Sequence, residues 1–335
     1  MMECRRLPEK VRVSTGSAIA LGLSRGRLDA KPTTIYLLTY QDGKCSANCG
    51  FCPQAKMSKG RADMLSRVIW PAFPTREAVS RIEVAGKTGL IRRVCIQALN
   101  YLTVFEDILS LIKGIKSRAS MPISVSCQPL DREKMRMLAE AGAERVSIAL
   151  DAATEDVFNR VKGRLVGGPY LWEKQRRALR EAVQIFGKSS VSTHLIVGLG
   201  ETEKEMTQTI QWCVDLGVYP GLFAFTPIPG TSLENRCRPS LSQYRRIQVA
   251  HYLITNAKTR FENMIFGCDG YLVDFGVSKD FVLKAIGTGY PFVTSGCPGC
   301  NRPYYNESPR GPLYNYPRQP LPEEIAEIER QIGIL

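Results

Sequence analysis

The chain has 335 residues, with 45 Lys and Arg against 32 Asp and Glu, a formal net charge of +13, and 44% hydrophobic residues. This composition excludes wholesale disorder. The two histidines, His194 and His251, exclude an HExxH zinc site and leave little material for a Ser-His-Asp triad. Eleven cysteines are too sparse over this length, and odd in number, to form a disulfide framework. They point to metal binding or redox chemistry in a reducing cytoplasm. Ser17 to Leu23 is too short and too weakly apolar for a signal-peptide core, and no run approaches the roughly 18 apolar residues that span a bilayer. The sequence therefore reads as soluble and cytoplasmic. Its charge implies an acidic partner, whether a nucleic acid, a phosphorylated metabolite or an acidic protein.

In chain order, residues 1–32 form a basic amino-terminal extension. From Thr33, short β-branched or apolar runs alternate with longer amphipathic stretches, the pattern of repeated βα units. The runs are TIYLLT (34–39), RVCIQA (93–98), ISVSC (123–127), RVSIAL (145–150), VSTHLIV (191–197), GLFAFT (221–226) and MIFGC (264–268). Helical periodicity fills 132–141 and 171–186, the first entered through Asp131 as N-cap and closed by Gly142. Such a right-handed series closes most economically into a (β/α) TIM-type barrel, full or nearly full, over residues 33–290, with an open doubly wound sheet as the rival α/β fold. Residues 291–335 begin with a segment dense in Pro, Gly, Tyr and Arg that needs an anchor. They end in an amphipathic helix, 323–334, and the whole extension is predicted to lie over the barrel mouth.

Directly after the first predicted strand comes Lys44-Cys45-Ser46-Ala47-Asn48-Cys49-Gly50-Phe51-Cys52, a C-x3-C-x2-C run. Three thiolates this close, with Gly50 allowing a tight bend, suit three corners of a [4Fe–4S] cluster whose fourth iron stays open. A structural zinc site wants a fourth protein ligand, and the next cysteine, Cys95, is far along the chain. On spacing alone the alternatives are a zinc loop or three unrelated buried thiols. The run, with Phe51 before its third cysteine, resembles the signature of the radical S-adenosylmethionine (SAM) superfamily, and the resemblance extends from about Thr33 to Cys268. It implies that the open iron is chelated by the amino and carboxylate groups of SAM, that one electron from the cluster cleaves the sulfonium to a 5′-deoxyadenosyl radical, and that Phe51 lies near the adenine. By the same resemblance Asp151, in SIALD, contacts the SAM ribose or methionyl group, with a helix N-cap as its alternative role. Gly198 and Gly200, in IVGLGET, are expected to line the adenine, with a plain strand-to-helix turn as theirs.

Cys52-Pro53-Gln54-Ala55 and HLIVGLGET resemble the biotin synthase and lipoyl synthase branch, whose members insert sulfur at unactivated carbons. Biotin synthases hold a second, sacrificial cluster with three cysteines and an arginine on inward strands. Cys95 and Cys127 match two of those cysteines, and the third position falls on Ser192, a poor soft ligand. Another set is available: Cys297 and Cys300 in a C-x2-C, Cys268 at the end of the last clear strand, and Cys4 as a fourth thiolate. It predicts a second [4Fe–4S] cluster stapling both chain ends over the mouth, against a zinc knuckle made from the same residues. Cys213 and Cys237 read as core or surface residues. The charge and the Arg- and Tyr-rich tail fit a chain that resembles one component of the archaeal-type two-protein lipoyl synthases. That resemblance implies an octanoyl or mercapto-octanoyl chain on an acidic lipoyl carrier domain as substrate, a second radical SAM protein as partner and a reductant such as ferredoxin, with neither membrane nor nucleic acid involved. The alternatives are a biotin synthase-like or other radical SAM enzyme and, from another class, a zinc-stabilised RNA-binding protein.

Overall fold

A computed structural model describes residues 7–333, so Cys4 lies outside the described residues. The chain opens with β1 (Lys10–Val13) and α1 (Thr15–Ala20), then enters β2 (Thr34–Thr39). A short excursion through β3 (Met64–Leu65), β4 (Val68–Ile69) and β5 (Ala72–Pro74) leads to α2 (Thr75–Lys87). Strands and helices then alternate as β6 (Arg93–Gln97), α3 (Val104–Lys116), β7 (Ile123–Cys127), α4 (Arg132–Glu140), β8 (Arg145–Ile148) and α5 (Glu155–Val161). They continue with α6 (Trp172–Phe186), β9 (Val191–Val197), α7 (Glu203–Leu216), β10 (Val218–Ala224) and α8 (Leu241–Thr255). A hairpin of β11 (Ile265–Phe266) and β12 (Leu272–Asp274), then α9 (Lys279–Gly287) and α10 (Pro322–Ile332), completes the fold. Among the described residues no helix is long and apolar enough to cross a membrane.

β2, β6, β7, β8, β9 and β10 pair in that order and all in parallel. β1 joins β2 antiparallel, and β5 joins β1 the same way. The parallel strands follow one another without the reversal of order that marks a doubly wound sheet, so the fold is of the TIM-barrel type, nearly full, with six parallel strands. Period-two alternation sorts their side chains. Val94, Ile96, Ile123, Val125, Val146 and Ile148 pack outward under the helices, while Cys95, Gln97, Ser124, Ser126 and Ser147 line the interior. As the sequence predicts, Asp131 caps α4, its carboxylate accepting from Lys134 N at 2.8 Å. The expected seventh strand, 264–268, is instead one arm of the β11–β12 hairpin, because Gly267 N bonds back to Tyr271 O at 2.8 Å and Gly270 takes a left-handed φ of 78°.

The segment between α9 and α10 closes the seam between β2 and β10, the two outermost parallel strands. Ser295 Oγ accepts from Leu222 N (2.7 Å) on β10, and Arg302 N donates to the Tyr36 hydroxyl (3.1 Å) on β2. Thr33, just before β2, receives Asn301 Oδ1 on its N–H at 3.0 Å. The C-x2-C therefore lies at the floor of the barrel, near the strand beginnings, and not over the mouth as the sequence suggested. Its anchors are protein groups. The buried Glu307 carboxylate accepts from Asn306 N, Asn315 N and Asn315 Nδ2 at 3.0–3.1 Å, Arg245 donates to Tyr314 O at 2.7 Å, and the Tyr314 hydroxyl donates to Pro239 O at 2.8 Å.

Candidate iron–sulfur centre

A cavity of about 230 Å³ runs through the barrel, with Cys45, Cys49 and Cys52 on its wall at one end and Cys297 and Cys300 at the other. The three-cysteine loop leaves the carboxyl end of β2, the face on which TIM-type barrels do their chemistry. It is tied down by Cys45 N to Gln54 O (2.9 Å), Gly50 N to Val161 O (2.7 Å) and Leu233 N to Gly50 O (3.1 Å). A Cβ at Gly50 would come within 2.8 Å of Ser232 Oγ, so close packing, and not a left-handed bend, favours glycine there. Cys45 Sγ accepts from Asn100 N (3.1 Å) and Ala47 N (3.5 Å). Burial pushes the Cys49 thiol well up and Cys52 to about 12, with the Lys162 ammonium pulling Cys49 back down. Metal coordination is what deprotonates such thiols. Phe51 is half-buried and lines the same cavity.

Asp151 faces this cavity but is not a helix cap: Thr154 caps α5, accepting from Val157 N at 3.2 Å. Asp151 itself holds a left-handed φ of 67°, bridged to β9 by its N–H to His194 O (2.7 Å) and its carbonyl to Ile196 N (2.8 Å). One carboxylate oxygen takes the Lys162 ammonium at 2.6 Å. Lys162, 0% exposed, also donates to Ala149 O (2.6 Å) and lies 5.1 Å from the centre of the Tyr170 ring. Sequence reasoning missed Lys162, Tyr170 and His194. A lysine inside an otherwise mixed run gives no periodic signal that it is buried, although a lysine eleven residues after a candidate ligand carboxylate was a pair worth testing. His194 lines the cavity beside Phe223, and burial holds its pKa down at about 4.

Gly198 and Gly200 are not on the cavity wall, which Ile196 supplies instead. Their φ values of 102° and 120° build a turn in which the Glu201 carboxylate accepts from Gly198 N (2.6 Å) and Leu199 N (3.0 Å). A Cβ on Gly198 would meet Pro239 Cδ at 2.7 Å. The two glycines thus build a strand-to-helix turn, one of the two roles expected for them.

At the floor, Cys300 Sγ lies 3.1 Å from the Tyr36 hydroxyl and Cys297 Sγ 3.3 Å from Ser124 Oγ. The third member of this group is Cys95 of β6, whose thiol is pushed up by burial and then by the neighbouring Cys297 and Cys300. Cys268 does not join them. It is exposed in the hairpin turn and absent from the cavity wall, because the residues that carry it form a hairpin and not a barrel strand. Cys127 reaches the cavity edge but packs in the outer core, since alternation on β7 gives the inward places to Ser124 and Ser126. Ser192 does line the cavity. Among the described residues no three His, Cys, Asp or Glu side chains gather as ligands of one ion.

Three thiols share the loop after the first parallel strand and face the cavity of a TIM-type barrel, an arrangement suited to an iron–sulfur barrel enzyme. The sequence profile of the radical SAM superfamily matches residues 43–213, just over half of the chain. The chain belongs to the radical SAM superfamily, whose members are enzymes that use a [4Fe–4S] cluster and SAM. It is 26% identical over 228 residues to a biotin synthase of Synechococcus elongatus, covering 67% of this chain and 68% of that protein. A biotin synthase of Aquifex aeolicus is 27% identical over 266 residues, covering 76% and 73%. Among solved structures, methylornithine synthase (PylB) aligns with a TM-score of 0.52 at 17% identity, over 67% of this chain and 62% of that one. The FeFe-hydrogenase maturase HydG from Carboxydothermus hydrogenoformans aligns with a TM-score of 0.51 at 18% identity, over 67% and 52%. This chain thus spans less than two thirds of either solved chain, and at these identities the likeness concerns the fold.

Proposed function

We propose that the protein is a radical SAM sulfur-insertion enzyme, one component of a lipoyl synthase pair, acting on an octanoyl or mercapto-octanoyl chain borne by an acidic carrier domain. The observation that carries this reading is the second group of thiols, Cys95, Cys297 and Cys300, facing the first group across one chamber. When bound, a first cluster supplies the electron that cleaves SAM and a second cluster supplies sulfur. Cys45, Cys49 and Cys52 hold the first; Cys95, Cys297 and Cys300 hold the second, and Tyr36 and Ser124 orient the floor thiols by hydrogen bonds. Asp151 presents a carboxylate oxygen to SAM while Lys162 holds the other. Leu38, Phe223 and Phe225 give the chamber apolar walls for an aliphatic chain, and the segment along the β2–β10 seam excludes water. The biotin synthase relatives support sulfur insertion, and the net charge of +13 supports an acidic macromolecular substrate. A biotin synthase-like reaction is the second reading, favoured by those relatives. Ser192 and the outward Cys127 depart from the ligand set that reading needs.

A Cys297→Ala/Cys300→Ala protein should still cleave SAM, lose iron and sulfide equivalent to one cluster, and attach no sulfur to octanoylated or mercapto-octanoylated peptide, read by mass spectrometry. Full iron and sulfide content with normal thiolation would move the sulfur source elsewhere.

A further inference from the structure

A second cavity, of about 180 Å³, lies between the amino-terminal segment and the stretch from α9 to α10 that closes the β2–β10 seam. Leu28, Ala30, Pro32 and Val68 give it apolar walls, and Trp70 and Tyr304 add aromatic ones. Tyr36, Arg302 and Tyr305 line this cavity and the barrel chamber alike, so these three side chains form the partition between the two. The Tyr36 hydroxyl is 3.1 Å from Cys300 Sγ. Trp70 shares an apolar cluster with Tyr36 and Leu38, against which Cys95, Cys300 and Tyr305 pack. The second cavity thus abuts the floor thiols.

Two features of its wall are costs to the fold. The Trp70 indole Nε1 is buried with no hydrogen-bond partner among the described residues. The wall hydroxyls of Ser14 and Ser17, in contrast, bond to each other, and Ser17 Oγ also accepts from Tyr36 N, both at 2.9 Å. An unpaired buried donor is a penalty that an acceptor on a ligand would relieve. Arg302 and Tyr304, on either side of Pro303, both hold left-handed φ values, 31° and 55°, a strain that clusters at functional sites. The border is charged. Arg27, Asp29 and Lys31 are exposed and alternate with the wall residues Leu28, Ala30 and Pro32. With exposed Arg25, residues 25–31 carry three cations against one acid.

An apolar slot with an uncommitted donor fits an aliphatic chain that carries one carbonyl, and a cationic border fits an acidic body attached to that chain. We infer that the second cavity is the entry for a carrier-borne acyl arm. The amide carbonyl of the arm accepts from Trp70 Nε1, its aliphatic chain crosses among Tyr36, Arg302 and Tyr305 into the chamber, and the acidic carrier rests on residues 25–31. A chain that enters here passes Cys300 and Cys95 before its far carbons reach the three-cysteine end. The inference rests on the acyl-carrier reading above and adds the route to it.

The test uses the anaerobic holoprotein with two probes, a fluorescent N-octanoyl-lysine peptide and an octanoylated acidic carrier domain. It reads Kd by fluorescence anisotropy and thiolated product by mass spectrometry. Gly16 is on the cavity wall, and a Cβ there meets no atom within 4 Å, so Gly16→Leu puts its side chain into open space. The Kd of both probes should then rise by about tenfold or more, with iron and sulfide content unchanged. Trp70→Phe keeps an aromatic ring and removes the donor, and should raise both Kd values about three- to tenfold. Arg25→Glu/Arg27→Glu/Lys31→Glu should weaken binding of the carrier domain and not of the peptide, and added salt should do the same. An unchanged peptide Kd in both Gly16→Leu and Trp70→Phe overturns the inference and gives the arm another entrance. So does a loss of iron and sulfide that matches the loss of binding in both variants, which would place these residues in the fold. If the unaltered protein binds neither probe, the acyl-carrier reading itself falls, and the route with it. Binding that the variants weaken as stated, with no sulfur attached by the unaltered protein, supports the entry and counts against sulfur insertion.

Discussion

Replacing Asp151 by Asn removes one charge from a pair whose other member, the Lys162 ammonium, is 0% exposed and 2.6 Å away. Asn adopts the left-handed conformation as readily as Asp, so the backbone at φ 67° is not disturbed. What remains is an ammonium with neutral acceptors only, the Asn amide oxygen and Ala149 O, and an aromatic face, with no opposite charge beside it. Removing one partner of a buried pair costs about 3–5 kcal/mol, while removing both is often neutral. Asp151→Asn should therefore lose about that much stability in chemical denaturation. The Asp151→Asn/Lys162→Met double variant should recover most of it, since Gln175 Nε2 still donates to Ala149 O at 3.1 Å. SAM affinity, measured by equilibrium dialysis, should stay weak in both, because the carboxylate is gone from both. The fold cost is larger than a cap role would give, since Asn caps a helix as well as Asp. A single variant that loses less than about 1 kcal/mol, or a double variant no more stable than the single, would refute the account of Lys162 as a charge that depends on Asp151.

Replacing Cys45, Cys49 and Cys52 together by Ala should abolish 5′-deoxyadenosine formation yet leave a second iron–sulfur centre visible by electron paramagnetic resonance. Cys268→Ser should leave iron, sulfide and product unchanged, whereas Cys95→Ser should lower sulfide and thiolated product; the reverse pattern would return Cys268 to the ligand set. The Cys297→Ala/Cys300→Ala protein should resist proteolysis of residues 291–320 as the unaltered protein does, because Glu307, Arg245 and Tyr314 anchor that stretch. Burial holds His194 and His251 at about 4, below the ordinary 6.5. The unfolded chain then takes up protons first as pH falls, so this stability is full above pH 6.5 and lost on descending toward 4, by about 3 kcal/mol for each histidine. The buried Glu201 and Glu307 carboxyls, raised by burial, run the opposite way. A His251→Gln protein should show a shallower acid limb in denaturation measured from pH 4 to 7, and an unchanged limb would count against the assignment.

Strands buried on one face and packed under helices on the other announce themselves by composition, which is why ISVSC and VSTHLIV were legible to the residue. β1 was missed because four residues, KVRV, carry too short an alternation to separate from a loop. The three-cysteine loop was legible because its ligands are local. The floor was only half legible: Cys297 and Cys300 are neighbours in sequence, but their companion is chosen by the path of the chain. A glycine-flanked turn at 267–270 sends Cys268 outward, while the pleat of β6 sends Cys95 inward. The Asp151–Lys162 pair escaped notice because nothing in a linear pattern distinguishes a lysine that points into a barrel from one that points at solvent.

The two thiol groups differ in how much of the chain must be in place before each exists. Cys45 to Cys52 share one loop, whose ties reach Asn100, Val161 and Leu233. Cys95 meets Cys297 and Cys300 only after some two hundred further residues have wound into the barrel and the last segment has been laid along the β2–β10 seam. A long-range closure of this kind is slow to form. The floor group of thiols is thus the last to be assembled. A chain that ended before Cys297 would keep the three-cysteine loop and lack the floor thiols.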